Sequence, residues 1–435
     1  MALAPAFSEA EVSPVDGSSA GDPPANARSL QCYVFGLFFI FGGITSLNDV
    51  LIPKLKELYS LNYFQAMLIQ FAFFAAYAII SMPGAALVKK LGYMRTAVVG
   101  LLTMAAGCLL FIPAASSSLY IAFLGALFVL ASGVVIVQVV ANPLISMLGP
   151  KKTTSSRLTF AQAFNSLGTT VFPLVGATII LGSLATIDPA TLSGIALDAY
   201  RAAESQAIVR TYLVLAAALG LLALLVFLGR NRLVEQAAST TNLLASFDLL
   251  KQTRFAFGAL CIFLYVGAEV SIGSVLVNYL KQADTLGGST LSAGRLVAFY
   301  WGGAMVGRFI GSALLRLIRP GLVLLGVATG AILLVAISAL TLGVPSGYAL
   351  LAVGLMNSIM FPTIFSLASE ELGPRAADGS GIICVAIVGG AIVPAITGLV
   401  ADATTLRSAM IVPVLCYAVI AAFGLWCANR ARAKG

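Results

Sequence analysis

Two carboxylates stand where a carboxylate is costly. Asp49 follows Asn48 in "FGGITSLNDVLIP", Phe41 to Pro53, late in the first long apolar run. Glu269 stands about midway along the seventh run, in "YVGAEVSIGS". An ionisable group at membrane depth costs roughly 3 kcal/mol on insertion scales, and chains that keep one usually use it on an ion or substrate path. The other acids of the seventeen lie in the N-terminal tail, in loops or at the ends of apolar runs. Desolvation disfavours the charged form, so both carboxylates are candidate proton carriers. Each also has a plainer reading. Asp49 lies outward of the midplane, with Lys54, Lys56 and Glu57 close behind, and could snorkel to headgroups. Glu269 could form a salt bridge with Arg308, the candidate intramembrane base, although Arg308 in "GRFIG" lies toward the cytoplasmic end of its run, away from the midpoint.

Amides form a second constellation. Gln138 and Asn142 are spaced i, i+4 on the fourth run, and Gln162 and Asn165 i, i+3 on the fifth. Each pair shares a helix face. An amide offers two donors and an acceptor, which suits a polyhydroxylated ligand whose hydroxyls both give and take. Amides also tie membrane helices together. Two such pairs plus Asn48, Gln70 and Asn357 favour a polar cavity. Gln70 and Tyr77 share a face at i, i+7 on the second run, and Phe299, Tyr300 and Trp301 cluster on the eighth. Tyr77, Tyr300 and Trp301 are therefore candidate ring platforms for a sugar. Trp426, at a run end, reads as an interface anchor.

These residues must be carried by membrane helices. The 435 residues are 60% hydrophobic and 10% charged, with a mean hydropathy of +1.00, a balance that no soluble domain of this size has. Long apolar runs without a ten-residue alternation exclude a β-barrel. At about 20 residues per span, the runs accommodate about twelve helices. They are expected near 31–52, 62–87, 94–114, 118–147, 158–184, 209–229, 255–280, 292–318, 321–342, 346–369, 379–401 and 407–428. The most polar interior segment, 231–252, falls between the sixth and seventh. The halves echo each other. "NPLISMLGP" from Asn142 parallels "FPTIFSLASEELGP" from Phe361, and "GAALVKKLG" after the second run parallels "GSALLRLIRPG" after the eighth. The fold class is therefore an all-α polytopic membrane protein with twelve transmembrane helices in two six-helix pseudo-repeats, and the binding site is expected at their interface. The expected division is a disordered tail at 1–29, bundles at 30–230 and 253–429, a linker at 231–252 and a short tail at 430–435.

The net charge of +8 sits on one set of loops, which is the positive-inside pattern and does not point to nucleic acid. That set carries Arg28, Lys89, Lys90, Arg95, Lys151, Lys152, Arg157, Arg230, Arg232, Lys251, Arg254, Arg316, Arg319, Arg375, Arg430, Arg432 and Lys434. Both termini are expected on that side, the cytoplasmic one. The tail lacks the basic and apolar regions of a cleaved signal. No histidine is present, which excludes a His relay, a His-ligated metal and a His-based triad. Six cysteines, without a CxxC, read as free packing thiols. No metal site or cofactor is called for, unless Asn48 and Asp49, with Thr45 and Ser46, hold sodium.

Taken together, "SLNDVLIPKL", "ANPLISMLGP", "LTFAQAFNSLGTT", "YVGAEVSIGS", "FPTIFSLA" and "VGGAIVPAITGLVAD" resemble the major facilitator superfamily. Within it they resemble the fucose:proton symporter family, which includes glucose/galactose transporters, across residues 31–428. The resemblance implies the major facilitator fold and proton-coupled sugar uptake. It marks Asp49 as the proton site, and Gln162 and Asn165 as sugar-binding amides. Gln138 stands where fucose permeases have a glutamate, and Glu269 where they have an amide. The "GAE" version resembles the glucose/galactose branch. Val88 stands where many members of the superfamily carry an acid.

The expectation is a secondary transporter importing a hexose, glucose or galactose first, by alternating access with a proton; the alternatives are a sodium-coupled sugar symporter or a fucose or N-acetylglucosamine transporter. Its partners are the sugar and the lipid bilayer, and it is expected to be a monomer in the bacterial inner membrane. Coupling is expected at Asp49 and Glu269. Sugar contacts are expected from Asn48, Gln70, Tyr77, Gln138, Asn142, Gln162, Asn165, Glu269, Tyr300, Trp301 and Asn357. A drug exporter would need an apolar cavity, which the amides oppose. An intramembrane aspartyl protease would need a GxGD string after a YD, and none is present. A channel would need a filter repeat or charged ring, and neither is visible.

Overall fold

With no water in a bilayer core, backbone amides must be satisfied within each segment, so long apolar runs fold as helices. A computed structural model describes residues 27–58, 63–117, 119–176, 194–230, 244–287 and 290–433. The first half contributes α1 (Ala27–Leu58), α2 (Tyr63–Leu91), α3 (Tyr93–Ser117), α4 (Tyr120–Met147), α5 (Thr154–Gly176) and α6 (Ile195–Leu228). The second contributes α7 (Thr253–Lys281), α8 (Thr290–Leu317) and α9 (Pro320–Leu340). Three further spans follow, each interrupted: α10 (Val344–Asn357) with α11 (Met360–Ser369), α12 (Ala376–Ala386) with α13 (Gly389–Ala403), and α14 (Leu406–Ala409) with α15 (Ile411–Ala433). Among the described residues, nine stretches are long and apolar enough to cross a membrane. α1, α5 and α8 complete the twelve.

The repeat is visible in who packs on whom. In the first half α1 lies on α5, α2 on α4, and α3 on both α4 and α6. In the second, α7 lies on α13, α8 on α10, and α9 on both α10 and α15. These are the same pairs shifted by six spans. The closest approaches repeat as well. A Cβ on Gly168 of α5 would stand 2.1 Å from the Phe39 carbonyl of α1, and one on Gly389 would stand 2.0 Å from the Phe263 carbonyl of α7. Glycine lets the two backbones touch there, as small residues do at membrane-helix crossings.

The halves meet through α2 on α12, α5 on α8 and α11, and α4 on α12. Their joints lie toward the end where α1 begins and α15 finishes, called here the basic end. Ser155 Oγ donates to Ser366 Oγ at 2.9 Å, Ser156 Oγ to the Ser312 carbonyl at 2.7 Å, and Ser312 Oγ back to the Ser156 carbonyl at 3.0 Å. Ser380 Oγ donates to the Val139 carbonyl at 2.9 Å. Nearest that end Lys89 of α2 is ion-paired with fully buried Asp378 at the start of α12.

Part of the segment expected as a linker closes over this pair. Leu244–Lys251 is a 3-10 helix with Leu249 buried, and Ser246 Oγ donates to Asp378 Oδ1 at 2.8 Å. Residues 231–243 lie outside the described residues, as do 1–26 of the expected tail. At the other terminus α15 runs on to Ala433, through residues expected as a tail, with Arg430 stacked over Trp426 at 4.2 Å. At the far end Arg407 gathers three loops. It donates to Asp284 Oδ2 at 3.0 Å and to the Thr341 carbonyl at 2.5 Å, while the Gly343 amide donates to the Asp284 carbonyl at 2.9 Å.

Candidate functional site

Between the halves, above the serine joints, lies a cavity of about 150 Å³. That is smaller than the roughly 300–1,000 Å³ of drug-sized pockets, so it suits a small solute. Its wall comes from both halves. Phe41, Gly42 and Thr45 of α1 face it, with Tyr77 of α2, Gln138 of α4, and Gln162, Asn165 and Thr169 of α5. Opposite stand Tyr265, Val266 and Glu269 of α7, Arg308 of α8, Phe361 of α11, and Ile387 at the break after α12. Thus Tyr77, Gln138, Gln162, Asn165 and Glu269, drawn from four separate helices, are brought to one place.

Their bonding fixes what each offers. Tyr77 Oη donates to Gln138 Oε1 at 2.7 Å, which occupies the amide's acceptor and orients its two N–H donors. Asn165 Nδ2 donates to the Phe38 carbonyl at 3.3 Å. Tyr265 Oη donates to Glu269 Oε1 at 2.8 Å and lies 3.1 Å from the Asn357 carbonyl. The remaining lone pairs of Glu269, which is half-buried and faces the cavity, can accept from a ligand hydroxyl. Phe41, Phe361, Val266 and Ile387 supply apolar surface between these groups. Several donors and acceptors with apolar patches between them suit a solute carrying hydroxyls on a carbon ring.

Four expected residues are placed elsewhere. Asn142 is fully buried and neither amide atom has a partner. It lies one turn nearer the basic end than Gln138, where α4 is covered by α12 of the other half. Tyr300 and Asn357 are fully buried behind Glu269. Asn357 Nδ2 donates to Tyr300 Oη at 2.9 Å, Tyr417 Oη donates to Asn357 Oδ1 at 2.8 Å, and Tyr300 Oη lies 3.4 Å from the Glu269 carbonyl. They buttress the wall without facing the cavity. Trp301 is 47% exposed on the outside of its helix. Successive helical residues point about 100° apart, so burying Tyr300 turns Trp301 away. The side chains of Asn48, Asp49 and Gln70 lie outside the described residues, although all three positions fall within α1 and α2.

Arg308 is the site residue that the sequence reading located least well. It faces the cavity but is not ion-paired with Glu269. Its Nε donates to the Ser358 carbonyl at 3.1 Å, and its Nη1 to the Gln162 carbonyl at 3.0 Å and to Ser166 Oγ. The sequence signal was its standing as an intramembrane base. Which helix it would meet could not be read from spacing. Lys89 was also missed as a partner for Asp378. The signal was a basic pair beside Val88, where the superfamily's acid is absent.

The model of the Major Facilitator Superfamily matches residues 34–387, most of the chain. The chain belongs to that superfamily. Among curated members, the Glucose/galactose transporter of Brucella abortus biovar 1 (strain 9-941) is 50% identical over 389 residues, covering 89% of this chain and 92% of the relative. The L-fucose-proton symporter of Escherichia coli (strain K12) is 35% identical over 402 residues, covering 89% and 90%. Among solved structures, that of the Major Facilitator Superfamily transporter FucP in the outward conformation superposes with a TM-score of 0.85 at 32% identity, covering 92% of this chain and 99% of FucP. The chain is thus a membrane transporter and not an enzyme.

Proposed function

We propose that this protein is a secondary active sugar transporter. It imports a hexose, glucose or galactose first, together with a proton, by alternating access of its two halves. The observation that carries the reading is the cavity itself. Amides from α4 and α5, a carboxylate from α7 and aromatic faces from α2, α7 and α11 converge at the junction of the repeats. The names of the similar proteins support the substrate class: glucose/galactose transporter at 50% identity and L-fucose-proton symporter at 35%. The likeness to the former favours glucose or galactose over fucose.

In this reading Gln138, Gln162, Asn165 and Glu269 hold the sugar hydroxyls, and Tyr77 holds Gln138 in place. Asp49 is the proton site. The basic end faces the cytoplasm of a bacterium, with both termini inside and the protein in the inner membrane as a monomer. The serine joints and the Lys89–Asp378 pair then close the cytoplasmic side, so the conformation described is outward-facing. The test is uptake of radiolabelled hexoses into proteoliposomes under imposed pH or sodium gradients. Accumulation that follows the pH gradient and is competed by glucose or galactose is the expected result. Accumulation that follows sodium and ignores pH would replace the coupling ion, and no hexose uptake under any gradient would overturn the reading.

A further inference from the structure

Arg308 makes its bonds in a way that cannot survive transport. Its Nη1 serves the Gln162 carbonyl and Ser166 Oγ, both on α5 of the opposite half, while its Nε serves the Ser358 carbonyl in its own half. Ser155, Gln162 and Ser166 lie on one stripe of α5, at i, i+7 and i+11. Ser155 is joined to Ser366 nearer the basic end. Separating the halves at that end therefore pulls α5 from α8 and α11, and takes both α5 acceptors away from the guanidinium.

Opening leaves the guanidinium with the Ser358 carbonyl alone, and a charge so poorly partnered in a largely apolar interior is destabilising, which favours a further acceptor. All three present acceptors are neutral oxygens. Among the described residues that face the cavity, Glu269 is the one carboxylate and Arg308 the one cation. Both belong to the second half, so rotation of the halves does not carry them apart. Glu269 holds a single side-chain bond of 2.8 Å from Tyr265, which leaves oxygen lone pairs open. An arginine untethered from α5 has the length and the planar fork to reach across one cavity wall.

We infer that Arg308 is a two-position switch: it binds α5 while the basic end is closed, pairs with Glu269 when that end opens, and thereby displaces the sugar from Glu269. Arg308 is thus a positioning residue for the release step. The fork that latches the closed state becomes the competitor that empties the site. Release then has a direction, because the competing cation is freed only on the side that has opened.

The inference rests on alternating access, as proposed above, and its test uses no sugar. Thr159 of α5 lies on the same stripe, is fully buried, and its hydroxyl has no partner, so Thr159→Cys places a thiol in the seam without breaking a bond. Five of the native cysteines are buried, and exposed Cys32 is removed as Cys32→Ser. A membrane-impermeant thiol reagent is applied to the basic side of vesicles, and the labelling rate reports opening there. Ser166→Ala weakens the latch alone and should raise the rate. Glu269→Gln leaves the α5 latch bonds intact, removes the partner of the open state and should lower it. Each change is expected to be about tenfold, the weight of one hydrogen bond to a charged group. Arg308→Lys keeps the charge but loses the fork, and should raise the rate as Ser166→Ala does. The switch is overturned if Glu269→Gln leaves the rate unchanged or raises it, or if Ser166→Ala leaves it unchanged. If the reference protein is never labelled from the basic side, alternating access itself fails, a result distinct from either of those.

Discussion

At the residue scale, the proposed recognition rests most on one carboxylate. Glu269 is oriented by the hydroxyl of fully buried Tyr265 at 2.8 Å, so the acceptor is held in place before a ligand arrives. Hydrogen bonds to an ionised acceptor are worth roughly 1.5–3 kcal/mol each. Glu269→Gln should therefore weaken sugar binding by about tenfold or more, as read by calorimetry. Unchanged affinity would remove Glu269 from the sugar site. The residues that sequence placed here were legible for one reason. Acids and amides are rare at membrane depth, so Gln138, Gln162, Asn165 and Glu269 stand out against a background of valine and leucine. Asn142 misled because i, i+4 spacing says only that two residues share a face of their own helix. It does not say that the cover of that face changes within one turn, from cavity to α12.

At the element scale, the interruptions in the spans were not foreseen, although a proline follows each one within a few residues: Pro362, Pro394 and Pro413. The apolar run across Asn357–Met360 is continuous in sequence, yet α10 ends at Asn357 and α11 begins at Met360. Helix bonds lost there are replaced from outside. Arg308 Nε serves the Ser358 carbonyl at 3.1 Å. The local cause is Pro362, which has no N–H for the Ser358 carbonyl four residues before it, while the donor that replaces the lost bond comes from another helix. The closeness of α1 and α5 is testable. Gly168→Ala would put a Cβ 2.1 Å from a backbone oxygen and force the helices apart. Overpacking of this kind costs about 1–3 kcal/mol. Thermal unfolding in detergent should show a lowered midpoint, whereas Gly125→Ala, with nothing within 4 Å of the new carbon, should not. Equal losses in both would rule out the packing explanation.

The 3-10 helix over the basic end carries its own titratable group. Arg375 holds exposed Asp248 through bonds of 2.6 and 3.2 Å, and these hydrogen bonds keep its carboxyl below the usual carboxylate range. A carboxylate depressed in the folded state stabilises above its ordinary value of about 4, and that contribution is lost only as pH falls through the lowered one. Asp248→Asn should thus leave the shape of the uptake–pH profile unchanged between roughly pH 5 and 8, where the carboxylate stays ionised in either state. A shifted midpoint in that variant would make Asp248 part of the pH response.

At the scale of the whole molecule, the question is how a gradient drives the cycle. If Asp49 carries the coupling proton, the empty carrier with a bare carboxylate should resist reorientation, because charge would cross a low-dielectric path. Asp49→Asn imitates the protonated form permanently. Accumulation driven by a proton gradient should disappear, while sugar-for-sugar counterflow in the same liposomes should persist, since neither half of exchange requires the proton to leave. Accumulation that survives the substitution would return Asp49 to a headgroup-seeking role. Twelve spans and two repeats were legible because a bilayer leaves the backbone few choices. Which end is shut was not, because one sequence must serve both ends in turn. The seam that does the shutting has a consequence for speed. Beside the Arg308 latch, the Lys89–Asp378 pair and Arg316, whose Nε donates to Ser156 Oγ at 3.2 Å, the Ser155–Ser366 and reciprocal Ser156–Ser312 bonds join small hydroxyls and carbonyls. Water can take over each such bond as the halves part, so wetting the seam exchanges like for like and leaves a net of only about 0.5–1.5 kcal/mol per bond. A zipper of hydroxyls is tight enough to exclude solvent while shut, yet lowers the hydration barrier that each turnover must cross.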